Sequence, residues 1–133
     1  MITFERKYFL KFNFSPMQIN RYLNNALKDL KITKESKQPE VKFTYSYNAL
    51  IKGGITLLAK TAKVKARSVS GHHVKIIEKM SDILNDESVQ SIGNTMRIKR
   101  NSDLYNGGIF ISKKEAKDFC EFVGKVLFRI KHF

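Results

Sequence analysis

The sequence predicts an all-α protein, an antiparallel bundle of about five helices with a short aromatic N-terminal extension. Apolar residues recur at three- and four-residue steps in five stretches, most of them preceded by a helix-start residue or a proline. The sequence lacks the alternation of strand and helix that would indicate a parallel sheet. At 133 residues the chain is one domain, with an extension over 1–14 and a helical domain over 15–133. The predicted helices are 16–32, 39–62, 71–84, 87–105 and 113–131.

The extension is rich in aromatic residues, and their spacing supports two assignments. Phe12 and Phe14 alternate with polar residues, as in a short strand. Phe4, Tyr8 and Phe9 have the spacing of one helix face. Both assignments remain open at this point.

Local signals place the helix starts. Ser15 before Pro16 is an N-cap followed by proline at the first helical position, and Pro39 opens the second helix. After a basic loop over residues 63–70, Ser70 can cap the third helix. Asp86 can cap the fourth.

The fifth helix has a complete start signal, because Ser112 and Glu115 form a capping box. Asn-Gly-Gly at 106–108 ends the fourth helix. Gly53 and Gly54 lie inside the second helix, where each costs about 1 kcal/mol relative to alanine. We therefore expect close helix–helix contact at these two glycines.

Several classes of protein are disfavoured. The single cysteine, Cys120, excludes an internal disulfide and a zinc site of several thiolates, and it is typical of a reduced compartment. Charged residues among the first ten positions argue against a signal peptide. Lys52 interrupts the most apolar stretch, so no membrane span is expected. The sequence thus predicts a cytoplasmic protein without metal or cofactor.

The charge points to an anionic partner. Lysine and arginine number 25 against 12 acidic residues, which gives a net charge of +13. Such an excess favours nucleic acid, a nucleotide or an acidic protein as partner, and a merely solvated lysine-rich surface is the alternative. Residues 60–79 are themselves basic, with six cations against Glu78.

In the fourth helix the apolar stripe ends in charge. After Met96 the stripe reaches Arg100 and Asp103, with Arg97 and Asn101 beside it. Either the stripe leaves the core and Arg100 pairs with Asp103 at the surface, or this edge grips phosphate with its arginines. The candidate nucleic-acid-binding residues are Arg97, Lys99, Arg100, Asn101, Lys63, Lys65 and Arg67.

Other polar positions are candidates for proton transfer. His72 and His73 open the third helix, either as partly buried histidines satisfied by backbone or as an acid/base or phosphate-contacting pair. Tyr105 lies about 140° around the helix from Arg100, so the two cooperate only if the helix unwinds or a second subunit joins them. Ile98 shares the outward face of Tyr105, which indicates a dimer contact.

Four segments carry a resemblance to a known family: YNALIKGGITLLA, ARSVSGHHVKIIEKM, MRIKRNSDLYNGG and ISKKEAKDF. Together they resemble the HEPN (higher eukaryotes and prokaryotes nucleotide-binding) domain. The resemblance implies a helical homodimer, and many members are metal-independent ribonucleases. Some are toxins partnered by a small nucleotidyltransferase antitoxin, and others serve in phage defence. Arg100 and Asn101 match the start of the family's Arg-polar-His motif, whereas Tyr105 stands where its histidine is expected.

Three functions follow from these residues. The first is a HEPN-like protein that binds nucleic acid or a nucleotide in a toxin–antitoxin or defence setting, without strong catalysis. The alternative is a metal-independent ribonuclease in which Arg100 stabilises the phosphate and His72, His73 or Tyr105 transfers the proton. A histidine is favoured, because a phenol with a pKa near 10 is a poor base at neutral pH. The third is an accessory subunit that binds a partner protein.

Overall fold

The computed structural model describes residues 1–105, 107, 108 and 110–133, with the backbone alone at 104 and 105. Five helices account for most of the chain and confirm the all-α class. They are α1 Pro16–Glu35, α2 Pro39–Thr61, α3 His72–Leu84, α4 Glu87–Tyr105 and α5 Lys113–Lys131. Helix α1 packs on α2 and α3 packs on α4 across short connections, while α5 packs on both α2 and α1.

A small antiparallel sheet lies outside the bundle pattern. Strand β1, Phe9–Lys11, pairs with β2, Val64–Ala66, so that Phe9 lies opposite Ala66. The expected loop over 63–70 therefore contains a strand. The extension is a strand at Phe9–Lys11, preceded by a turn in which the Tyr8 and Phe9 N–H groups donate to the Glu5 carbonyl. Each strand has three residues. Strands this short are held in extended form by the hydrogen bonds to the paired strand.

Most of the helix starts follow the predicted caps. The Ser15 hydroxyl accepts a hydrogen bond from the Gln18 N–H at 3.2 Å, and the Ser112 hydroxyl accepts one from the Glu115 N–H at 3.0 Å. In both cases the partner side chain returns a bond to the cap N–H, which completes a capping box. The Asp86 carboxylate accepts a hydrogen bond from the N–H two residues on at 3.0 Å.

The predicted cap of α3 is wrong. Gly71, not Ser70, is the cap residue, and its φ of 81° lies in the left-handed region that favours glycine. No side chain caps this helix. The helix begins from the left-handed Gly71, so Ser70 lies one position before the cap position that its hydroxyl would need.

Helix α2 is the centre of the core. A Cβ added at Gly54 would lie 2.6 Å from Ile76 Cγ2 of α3, and one at Gly53 would collide with Leu127 of α5. The absent side chains let two helices approach α2 from two sides, as expected from the sequence. The core around them is closed by fully buried residues of four helices, among them Tyr47, Leu50, Leu57, Ile77, Met80, Val89, Met96 and Val123.

Among the helices of the described residues, none has the length and apolar character needed to cross a membrane.

Candidate nucleic-acid site

A polar cavity of about 470 Å³ opens where α3 begins beside the last turns of α4. The loop after β2 forms one wall, the first turn of α3 a second, and polar side chains of α4 a third. Five of the residues singled out in the sequence line this one cavity: His72, His73, Arg97, Arg100 and Asn101. Residues almost thirty positions apart thus meet at one surface.

The start of α3 contributes backbone donors to the cavity. The first N–H groups of a helix have no partner within the helix, and the N-terminus carries a partial positive charge. Gly71, His72, His73 and Val74 all line the cavity, and the helix has no side-chain cap. The His72 N–H donates to the Val69 carbonyl at 3.1 Å, so the N–H groups of His73 and Val74 are the ones that this end of α3 can offer to an anion.

Arg100 lies on an aromatic platform. Its guanidinium carbon is 5.8 Å from the centroid of the Tyr47 ring, and Tyr47 is only 1% exposed. Asp103 is exposed, and among the described ion pairs none joins it to Arg100. The Arg100 guanidinium therefore lies within cation–π distance of a buried ring.

Arg97 lies one turn before Arg100 on the same wall of the cavity. Its Nε donates to the Asn94 side-chain oxygen at 3.2 Å, and the side chain is half-buried. This bond orients the guanidinium and leaves its terminal nitrogens for a ligand. Two arginines on one helix turn offer a fork-shaped set of donors that fits phosphate.

The buried Tyr47 and the half-buried His73 form a neutral pair beside the arginines. The Tyr47 hydroxyl and His73 Nδ1 are 2.8 Å apart. Burial raises the pKa of Tyr47 to about 12, although Arg100 and Arg97 oppose the shift. Burial, then the charges of His72, Arg100 and Arg97, lower the pKa of His73 to about 4. Both groups are therefore uncharged near neutral pH, and the positive charge of the cavity comes from its arginines.

His72 is held in a different way. Its Nδ1 lies 2.8 Å from the Val69 carbonyl oxygen, which can only accept a hydrogen bond. In the neutral ring this contact places the proton on Nδ1 and leaves the lone pair on Nε2. The His72 and His73 rings meet edge to face, with centroids 4.4 Å apart. The two adjacent histidines thus differ: one is tied to a buried phenol, and the other has a fixed tautomer.

The N-terminal extension holds the loop that forms the cavity. The Arg67 N–H donates to the Tyr8 carbonyl at 2.7 Å. The Glu5 carboxylate pairs with Lys75 at 2.8 Å and with Lys79 at 3.1 Å, and these bonds lower the pKa of Glu5 to about 2. The extension is thereby attached both to α3 and to the loop in front of it.

The three cations of the basic loop lie outside the cavity. Lys63, Lys65 and Arg67 are exposed and are absent from the cavity lining. Lys65 stacks on Phe12 with its Nζ 6.0 Å from the ring centroid. The Arg67 guanidinium donates to the Arg6 carbonyl at 2.8 Å. The reason is the pairing of β2 with β1, which places these residues along the small sheet.

Two further candidates from the sequence are Lys99 and Tyr105. Lys99 pairs with Glu115 of α5 at 3.3 Å and does not line the cavity. It directly precedes Arg100, so it lies about 100° around the helix from that arginine. The side chain of Tyr105 lies outside the described residues.

Tyr47 is the site residue that the sequence did not reveal. Its spacing in α2 is that of a core residue, and it is buried as such. Only its phenol, which needs a partner inside a core, hinted at a polar role. That partner, His73, is 26 residues away.

No group of three or more histidine, cysteine, aspartate or glutamate side chains in the described part of the chain could hold a metal ion. Comparison with family models, with curated proteins and with solved structures finds no match to this chain.

Proposed function

We propose that this protein binds RNA at the cavity between α3 and α4, as a HEPN-like binding protein without strong catalysis. The observation that supports it is the convergence of Arg97, Arg100 and the uncapped start of α3 on one polar cavity. Phosphate oxygens accept from guanidinium groups and from helix N-terminal N–H groups, so both sets of donors favour the same ligand.

The size of the cavity fits more than a phosphate ion. A volume of about 470 Å³ falls in the range of nucleotide-sized ligands. The imidazole rings of His72 and His73 offer flat surfaces on which an unpaired base can stack. The expected ligand is therefore a single-stranded segment with a phosphate at the arginines and a neighbouring base at the histidines.

The overall charge supports the same ligand at longer range. A net charge of +13 attracts a polyanion before any specific contact forms. The exposed cations at the small β1–β2 sheet, including Lys63, Lys65 and Arg67, would then contact the backbone of a longer RNA outside the cavity.

The test is the fluorescence anisotropy of a labelled single-stranded RNA, titrated at several salt concentrations. We expect Arg100→Ala to weaken binding by about tenfold or more, since a charged hydrogen bond is lost. Lys37→Ala, which removes the same charge outside the cavity lining, should change affinity by less than about twofold. Equal effects would mean diffuse attraction, and no binding at low salt would refute the proposal.

A second candidate function, a metal-independent ribonuclease, is favoured by His72. With Nδ1 bonded to the Val69 carbonyl, Nε2 can take the proton of a ribose 2′-hydroxyl. The 2′-oxygen would attack the phosphorus and form a 2′,3′-cyclic phosphate, the bond from phosphorus to the 5′-oxygen would break, and the 5′-oxygen would take its proton from water. Arg100 would stabilise the added negative charge. His73, with its lowered pKa and its bond to Tyr47, is the weaker base.

This candidate is tested by RNA cleavage in the presence of a chelator. If the protein cleaves, His72→Gln should abolish cleavage, while Tyr105→Phe should retain most of it. Cleavage that needs Tyr105 and survives without His72 would assign the histidine role of the resembled family to Tyr105. Intact binding with no cleavage in the unmodified protein supports the binding function alone.

We further propose that the protein is a homodimer through the outward face of α4. Ile98 on this face is 56% exposed, and apolar exposure of this kind favours association. Light scattering at high micromolar concentration should give twice the mass of one chain, and Ile98→Glu should reduce it to a monomer. A monomeric unmodified protein would contradict the proposal.

A further inference from the structure

A second concave surface runs along α5. It shares no residue with the cavity between α3 and α4 that is proposed to bind RNA, which we name the RNA cavity. Two adjoining cavities, of about 640 Å³ and 420 Å³, meet at Lys42 and Lys117. They extend along α5 from Lys113 to Arg129, with the end of α1 and the start of α2 as the opposite wall. We name this surface the α5 groove.

The floor of the α5 groove is apolar. Gly124 contributes no side chain, and a Cβ built there would find only Leu30 Cδ1, at 4.0 Å. Cys120 lies in the floor as a buried free thiol. Phe128 stands at one edge with 66% of its side chain exposed, which is unusual for a large apolar residue. Burying this floor under an apolar surface of a ligand would therefore be favourable.

The rim of the groove is cationic. Seven basic side chains line it, against the single acid Glu121: Lys34, Lys37, Lys42, Lys113, Lys117, Lys125 and Arg129. Two of them have strong partners, since Lys42 donates to the Thr33 carbonyl at 2.6 Å and Arg129 pairs with Asp86 at 2.8 Å. The other basic groups give the rim an excess of positive charge.

The dimensions match a helix. Lys113 and Arg129 lie sixteen positions apart in α5, a distance of about 24 Å along the helix axis at 1.5 Å per residue. A helix of about 16 residues spans this length, and a helix that lays its apolar face in a groove is a common form of protein recognition.

We propose that the α5 groove binds an acidic amphipathic helix of a partner protein. Apolar side chains of that helix would fill the channel over Gly124 and cover Phe128, while its carboxylates would meet the lysines of the rim. Charge complementarity selects this occupant: a basic helix would be repelled. RNA, which has no continuous apolar face, would leave the floor uncovered.

The proposal stands apart from the RNA site, so each can fail alone. The probe is a displayed library of random 16-residue peptides, selected on the full-length protein and counter-selected on Gly124→Leu. A Cβ at Gly124 would meet only an ordinary contact, and leucine is a good helix former. Gly124→Leu should therefore fold, and its side chain should fill the channel. Circular dichroism and a thermal melt check its fold.

We expect selection to enrich peptides with apolar residues at three- and four-residue steps and with glutamate or aspartate between them. An enriched peptide should lose at least tenfold in affinity against Gly124→Leu and against Lys117→Gln with Lys125→Gln. The matched control, Lys11→Gln with Lys28→Gln, removes two exposed charges elsewhere and should bind as the unmodified protein does.

Several outcomes would overturn the proposal. They are the absence of any enriched sequence, enrichment of acidic peptides without apolar periodicity, and equal losses in the groove and control variants. Binding of oleate in place of peptide, lost in Gly124→Leu, would assign the groove to a lipid. A second copy of the chain as occupant would appear as a dimer that Gly124→Leu dissociates.

Discussion

The RNA cavity and the α5 groove are both bordered by cations, yet they differ in what lies beneath the charge. The cavity is lined mostly by polar residues, including the first turn of α3 and two arginines, one of which lies 5.8 Å from the centroid of the buried Tyr47 ring. The groove has an apolar floor and a rim made mostly of lysines. Guanidinium groups present fixed planar donors, whereas ammonium groups are mobile, strongly hydrated point charges. Under the two proposals, the same excess of positive charge would serve two different kinds of ligand.

The two surfaces also differ in how firmly their charges are held. Arg100 rests on a buried ring, and Arg97 is oriented by Asn94. In the groove Lys117 reaches Glu121 only at 4.0 Å, and both side chains are well exposed. An exposed pair of this kind contributes little free energy. We therefore expect charge removal in the cavity to cost far more affinity for RNA than charge removal in the groove.

The largest expected effect tests this contrast directly. Arg97→Gln with Arg100→Gln should weaken binding of single-stranded RNA by about 100-fold or more, because two charged hydrogen-bonding groups are lost. Lys117→Gln with Lys125→Gln removes the same charge from the groove and should cost less than about threefold. Anisotropy titrations at one salt concentration measure both. Comparable losses would mean that the cavity has no special part in binding.

The second expected effect is an acid sensitivity of the cavity. His73 has a pKa near 4 in the folded protein and near 6.5 when unfolded, so between these values the unfolded chain binds more protons. The free energy of unfolding should fall as the pH drops from about 6.5 toward 4, by at most about 3 kcal/mol. Urea unfolding at a series of pH values measures the decline.

His73→Gln is the control for this prediction, because it removes the titrating group. The decline between pH 6.5 and 4 should then be much smaller. Glu5 acts in a separate window, since its lowered pKa makes stability fall only as the pH drops below about 4.5 toward 2. A decline of equal size in both proteins would contradict the assignment to His73.

A third, smaller effect contrasts the filled core with the open groove. Gly54→Ala places a methyl group 2.5 Å from Met80 Sδ and 2.6 Å from Ile76 Cγ2. The overpacking should cost about 1–3 kcal/mol and outweigh the gain in helix propensity. Chemical denaturation should show a lower midpoint. An unchanged or higher midpoint would show that α2 and α3 are less closely packed than the contacts indicate.

The smallest expected effect is a gain in stability when the glycine at the floor of the α5 groove is replaced by alanine. Gly124→Ala meets only an ordinary contact with Leu30, so it should stabilise the protein by about 0.5–1 kcal/mol through helix propensity. The same denaturation assay measures it alongside Gly54→Ala. A loss of stability would show that the floor of the α5 groove is not open.

The helices could be predicted well because their information is local. The caps at Ser15 and Ser112 and the proline at Pro39 act over one turn, and the structure confirms them. The cap of α3 was wrong because a left-handed glycine competes with a serine one position before it. The β1–β2 pair escaped prediction, since three-residue strands have almost no local pattern and depend on a partner some fifty residues away.

For the candidate site, the residue types were predictable and their grouping was not. An arginine on an apolar stripe and two histidines at a helix start are visible by their spacing. That Arg100 covers Tyr47, and that Tyr47 bonds to His73, depends on three helices meeting. Likewise Lys63, Lys65 and Arg67 are basic in sequence, but the pairing of β2 with β1 places them outside the cavity.

The sequence by itself determined the helices, most of their starts, the glycine contacts of α2 and the excess of positive charge, because periodicity, capping and composition act along the chain. Only the tertiary structure decided which charges share a surface, which histidine is buried against Tyr47 and where the groove beside Gly124 opens. The physical reason is that burial and electrostatic environment arise between elements. A side chain acquires its pKa, its partners and its solvent exposure only when α2, α3, α4 and α5 pack together.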